Sequence, residues 1–155
     1  MIESVVEAWL DIVHGKVAGD VVASIDALLS DDVVFYSPVV FTPQKGIEIT
    51  KLYLSAAASS FGGETDAAQS KDAASSKTPG NSKFHYTKQI LSGHCAMLEF
   101  ETEMQGKYVN GVDILTCNDE GKIVEFKVLI RPLQAVNAVH GQMRNMLEKL
   151  QKARA

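Results

Sequence analysis

Cysteine is scarce: Cys95 and Cys117 are the only two in 155 residues, with neither the density of a disulfide scaffold nor the paired spacing of a zinc finger. Reduced thiols in a cytoplasmic setting are expected. His14, His94 and His140 show no metal-ligand spacing, so no metal is implied. Lys and Arg number 15 against 19 Asp and Glu, a net charge of -4, and no run concentrates the basic residues. That excludes the phosphate-neutralising surface a nucleic acid needs. No stretch approaches the roughly 20 apolar residues that cross a bilayer. The opening MIESVVEAWL lacks a basic segment leading into an apolar run, so neither a leader nor a membrane partner is expected. No internal repeat is visible.

What is present is an ordinary globular composition, 46% hydrophobic and 22% charged, in a chain of single-domain length. Ile2, Val5, Val6, Trp9, Ile12 and Val13 lay an apolar stripe along a first helix. Asp20 stands as an N-cap before a second helix carrying Val21, Val22, Ile25, Leu28 and Leu29. Ser30-Asp31-Asp32 ends that helix, and Val33-Val34-Phe35-Tyr36 forms a short strand stopped by Ser37-Pro38. Ile49, Leu52, Tyr53 and Ala56 mark a third helix. Residues 62–82 hold only small and polar side chains around one proline, so that insertion cannot offset its ordering entropy and is expected to be mobile. Four strands follow, Phe84 to Leu91, His94 to Met104, Tyr108 to Cys117 and Ile123 to Arg131, and a helix from Pro132 carries Leu133, Val136, His140, Met143, Leu147 and Leu150. Helices, then an antiparallel sheet, then a helix is an α+β plan in one domain, 1–155.

The register of the last strands decides which side chains share a face. A loop of about three residues centred on Gly106 would set Leu98 opposite Ile114, Phe100 opposite Val112 and Thr102 opposite Asn110. The next turn would set Val112 opposite Val128 and Ile114 opposite Phe126. The even-numbered residues then face the helices. The odd-numbered residues mix Met97, Leu115 and Leu129 with Glu99, Asp113, Glu125 and Lys127, a half-polar face suited to a subunit interface or to partial exposure. Asp113 would make a structural ion pair with Lys127 there, and Cys95 would lie opposite Cys117.

Three segments carry a resemblance: VEAWLDIVHGKVAGDVVASIDALLSDDVVFYSP, GIEITKLYLSA, and YVNGVDILTCNDEGKIVEFKVLIRP. In their order and spacing, with an acidic pair before a strand ending at Pro38 and the turn NDEGKIVEF, the chain resembles the SnoaL-like and ketosteroid-isomerase-like branch of the nuclear transport factor 2-like superfamily. The resemblance implies a cone of helices wrapped on a curved sheet, a pocket for a small apolar molecule, and a homodimer through the other sheet face. It also implies isomerase or cyclase chemistry without a cofactor. Ketosteroid isomerases place a carboxylate before the proline, a tyrosine on the first helix and a protonated aspartate on a later strand. The matching positions are Ser37, Trp9 and Asn110. The cyclases and epoxide hydrolases place a carboxylate on the last strand, where this chain has Val128.

The expected pocket is therefore apolar with few polar groups. Trp9, Ser37, Tyr53, Phe100, Thr102, Val112 and Val128 are its candidate ligand-binding residues. Asn110 is the candidate carbonyl-polarising donor, or else a structural amide, and His85 is the candidate acid or base, or else a surface histidine. The competing function is a noncatalytic homodimeric association module with a vestigial pocket.

Overall fold

The computed structural model describes residues 1–61 and 84–154; the 62–82 insertion lies outside them. Helix α1 spans Ile2–Val13 and buries Ile2, Val5, Val6, Trp9 and Ile12, the stripe its spacing predicts. Helix α2, Val21–Leu28, starts where the Asp20 carboxylate accepts the Val22 N–H at 3.0 Å. Strand β1 spans Leu29–Tyr36 and so begins earlier than the β-branched run suggests. The polar triplet Ser30-Asp31-Asp32 does not separate helix from strand. It is absorbed where the pairing register shifts between Leu29 and Val34. A two-residue strand β2 (Gln44–Lys45) and helix α3 (Ile47–Phe61) complete the first half.

Strands β3 (His85–Ser92), β4 (Cys95–Met104), β5 (Lys107–Cys117) and β6 (Ile123–Arg131) fall within a residue or so of the expected bounds, and helix α4 runs over Leu133–Arg154. One six-stranded sheet forms in the order β2-β1-β6-β5-β4-β3, parallel between β1 and β6 and antiparallel elsewhere. The helices bury one face of it. Ile2, Val33, Leu98, Val109, Leu115, Ile123 and Val139 have no more than 2% exposure in that shared core.

The register corrects the expected faces. Gln105 (φ 53°) and Gly106 (φ 75°) both adopt positive φ and close a two-residue hairpin between Met104 and Lys107, the arrangement whose twist suits adjacent antiparallel strands. A loop one residue shorter than expected moves every β5 side chain to the opposite face. Leu98 lies opposite Asp113, Phe100 opposite Gly111, Thr102 opposite Val109, and Cys95 opposite Thr116 rather than Cys117. On β6, Asp113 is matched with Val128 and Ile114 with Lys127. Asp113 is thus an interior residue, not the surface partner of Lys127, while Asn110 and Val112 point to the outer face.

Gly111 shows how closely the interior is packed. A Cβ there would stand 2.3 Å from the Phe100 ring and 2.7 Å from the Leu129 carbonyl oxygen. The absence of a side chain lets the Phe100 ring lie over β5. Gly111→Ala is expected to destabilise the protein by about 1–3 kcal/mol through overpacking. Urea unfolding of Gly111→Ala, Phe100→Leu and the double variant checks this: the smaller Phe100 replacement should recover part of the Gly111→Ala loss, and strictly additive losses would contradict the contact.

Candidate functional site

A buried polar relay crosses the interior from helix to sheet. Trp9, on the apolar stripe of α1, donates its indole N–H to the Tyr86 hydroxyl oxygen at 2.9 Å. Tyr86 donates its own hydroxyl hydrogen to Asp113 Oδ2 at 2.5 Å. The three residues come from α1, β3 and β5, so only the folded chain brings them together. Tyr86 points inward because it pairs with the interior residue Phe100, and a bulge at Thr87 then resets the register so that Lys88 pairs with the outer residue Glu99.

The surroundings of this relay are aromatic. Phe84 meets Tyr86 edge to face with centroids 5.1 Å apart and stacks on Phe100 at 4.9 Å. On the other side Trp9 meets Phe126 at 5.2 Å, Phe126 meets Phe35 at 6.0 Å, and Phe35 meets Tyr53 at 5.1 Å. Asp113 lies between its cross-strand partners Leu98 on β4 and Val128 on β6, with 5% exposure.

Burial sets the protonation of both acids. Asp113 is pushed up from 3.8 to about 7, because desolvation penalises the carboxylate more than the Tyr86 hydrogen bond favours it. Tyr86 is raised well above its ordinary value by burial and by the adjacent Asp113, so the phenol keeps its proton. Asp113 Oδ1 has no hydrogen-bond partner among the described residues. The protonated carboxyl therefore has a hydrogen to donate, and a group titrating near 7 suits proton exchange at neutral pH.

Of the candidates read from sequence, Trp9, Tyr53, Phe100, Thr102 and Val128 are buried or packed against this interior. Ser37 is half-buried beyond the end of β1, and its hydroxyl oxygen accepts the Val39 N–H at 3.2 Å. The other three stand elsewhere. Asn110 commits its amide hydrogens to Glu99 Oε2 and to the Phe100 carbonyl oxygen, both at 3.0 Å, on the outer side of the sheet. His85 is exposed, adjacent to inward-facing Tyr86 and paired with Glu101. Val112 is half-buried on the outer face opposite Glu99. The placement of Asn110, Val112 and His85 in the pocket is thus corrected by the hairpin register and by strand alternation.

Tyr86 and Asp113 were missed by sequence reasoning, one hidden by a bulge and the other by a turn. The available signal was Gly106, which permits the positive φ that a two-residue turn requires. Among the described residues no group of three or more His, Cys, Asp or Glu could hold a metal ion, and no helix is long and apolar enough to cross a membrane.

Solved structures place this architecture. A steroid delta-isomerase from Pseudomonas aeruginosa superposes with a TM-score of 0.78 at 22% identity, over 97% of this chain and 94% of that one. The chain has the nuclear transport factor 2-like fold. An uncharacterised conserved bacterial protein from Silicibacter pomeroyi, described as having a cystatin-like fold, matches with a TM-score of 0.64 at 26% identity over 80% of this chain and 74% of that one. A nuclear transport factor 2-like protein of unknown function from Mesorhizobium loti gives 0.60 at 18% over 84% and 91%. No family model and no curated protein matches the chain.

The relay makes stability depend on pH. Between about pH 4 and 7 folded Asp113 holds a proton that the unfolded chain has released, so stability falls as pH rises through that window and levels off above it. The shift from 3.8 to about 7 corresponds to roughly 4 kcal/mol in all. Asp113→Asn keeps an acceptor for Tyr86 without a titrating proton, so its thermal midpoint should be flatter than wild type between pH 4 and 7 and higher above pH 7. Parallel midpoint-against-pH curves would contradict this. Tyr86→Phe leaves the Trp9 N–H and Asp113 without their buried partner and should lose about 1–3 kcal/mol in urea unfolding.

Proposed function

We propose that the nuclear transport factor 2-like interior binds a small, largely apolar molecule whose carbonyl or enol oxygen accepts a hydrogen bond from protonated Asp113. The supporting observation is the buried carboxyl itself: raised to about 7, tied to Tyr86 through Oδ2 and walled by aromatic and aliphatic side chains. Such a group stabilises charge developing on a carbonyl oxygen and stands ready before the ligand arrives. Isomerase or cyclase chemistry through proton transfer beside that carbonyl is the reaction class this arrangement suits. The superposition on a steroid delta-isomerase supports the same class. Ser37 stands where the resemblance places a proton-shuttling carboxylate, so the proposal assigns Asp113 to the oxygen and assigns no base.

The test is binding and turnover with a probe of matching chemistry. 2-Naphthol combines an apolar ring system with an enol-like oxygen and reports by fluorescence. Its affinity is expected to weaken as pH rises through 7 and Asp113 loses its proton, to be independent of pH in Asp113→Asn, and to drop at least about tenfold in Asp113→Leu. Full-strength binding by Asp113→Leu would contradict the assignment. Isomerisation of an unconjugated ketosteroid is expected to slow from wild type to Asp113→Asn and further to Asp113→Leu.

The second reading, a noncatalytic homodimeric module in the cytoplasm, draws on the outer sheet face, where Leu129 is 50% exposed among half-buried Met97, Val112 and Ile114. An interface there predicts that Leu129→Glu shifts the protein to monomers in sedimentation velocity. An unchanged sedimentation coefficient would contradict it.

A further inference from the structure

A cleft of about 130 Å³ lies between α4, α3 and the segment after β1, lined by Val39, Val40, Tyr53, His140, Met143, Arg144 and Leu147. Its walls are mostly apolar, and its two basic side chains both come from α4. His140 and Arg144 are four residues apart on α4 and therefore project from the same helix face. Among the described residues no carboxylate lines the cleft. Arg144 is exposed and has no ion pair or hydrogen bond among the described residues, although Glu148 lies one turn further along the helix.

Tyr53 adds an independent observation. The residue is only 8% exposed, and its hydroxyl has no hydrogen-bond partner among the described residues. A buried phenol hydrogen without an acceptor is costly unless a ligand or water satisfies it. Beside the cleft, on the segment that supplies Val39 and Val40, Phe41 is fully exposed.

We infer that this cleft binds a monocarboxylate with a short apolar body, the aliphatic or aryl part packed against Val39, Val40, Met143 and Leu147 and the carboxylate held by Arg144 and the Tyr53 hydroxyl. The volume sets the size: a cavity of about 150 Å³ accepts benzene, so roughly six carbons fill this cleft before a chain protrudes towards solvent. The chemistry sets the head group. Arginine presents a planar fork of donors that matches the two oxygens of a carboxylate, and the phenol donates a further hydrogen bond. His140, on the same face, adds a ring nitrogen at the rim. This site goes beyond the interior relay and does not depend on Asp113.

Octanoate is the probe, with 1-octanol and octylamine as neutral and cationic comparators of the same length, titrated calorimetrically into the full chain. Octanoate should bind more tightly than either comparator and should shift the backbone amide resonances of Val40 and Arg144 but not those of Leu98 and Asp113. Arg144→Gln alters an exposed side chain and Tyr53→Phe removes only the hydroxyl, so both should fold, and each should weaken octanoate by about three- to tenfold while leaving 1-octanol unchanged. Equal affinity for octanoate and octylamine, octanoate binding indifferent to both substitutions, shifts centred on Asp113, or no octanoate binding at all would each overturn the proposal.

Discussion

The hydrogen bond from Tyr86 to Asp113 is the constraint around which the interior is arranged. A carboxyl group placed between Leu98 and Val128 is tolerated only if it stays largely neutral or keeps a strong donor. At 2.5 Å Tyr86 supplies that donor, and Trp9 in turn donates to Tyr86. Each partner is held by a different element, so the relay also fixes how α1 sits against β3 and β5. A partly satisfied network of this kind costs more than an apolar core would. Asp113 Oδ1, without a hydrogen-bond partner among the described residues, is the one part of the relay left unsatisfied.

The same geometry explains why the interior is aromatic. Rings extend from Phe84, Tyr86 and Phe100 on one side of the relay to Trp9, Phe126, Phe35 and Tyr53 on the other. Within that interior Asp113 is 5% exposed, and its burial penalises the charged form and lifts it to about 7. Gly111 belongs to this arrangement, because only an absent side chain lets Phe100 close over the strand beside the carboxyl. Packing and protonation are thus two consequences of one set of side chains.

Much of the fold was legible in the sequence. The stripe on α1, the Asp20 cap, the bounds of β3 to β6 and the α+β order follow from spacing, capping and turn residues, and the resemblance to the nuclear transport factor 2-like superfamily rests on segments that the structure assembles into that fold. The site was less legible, for a reason of parity. Side chains alternate along a strand, so reading the Gln105-Gly106 hairpin one residue too long turned Asp113 outward and Asn110 inward. Glutamine at the first turn position gives little warning of positive φ, in contrast with asparagine or glycine. The bulge at Thr87 left no comparable mark in composition, so Tyr86 could not be phased against Phe100. Trp9 was placed correctly in the interior, yet its partner could not be named, because the pair is separated by 77 residues.

The most direct measurement is the titration of the Asp113 carboxyl carbon by ¹³C NMR, in the wild-type protein and in Tyr86→Phe. The relay predicts a wild-type midpoint near 7 and a still higher one in Tyr86→Phe, where the hydrogen bond that favours the carboxylate is gone. A wild-type midpoint near 4, unmoved by Tyr86→Phe, would show a solvated carboxylate and contradict the account.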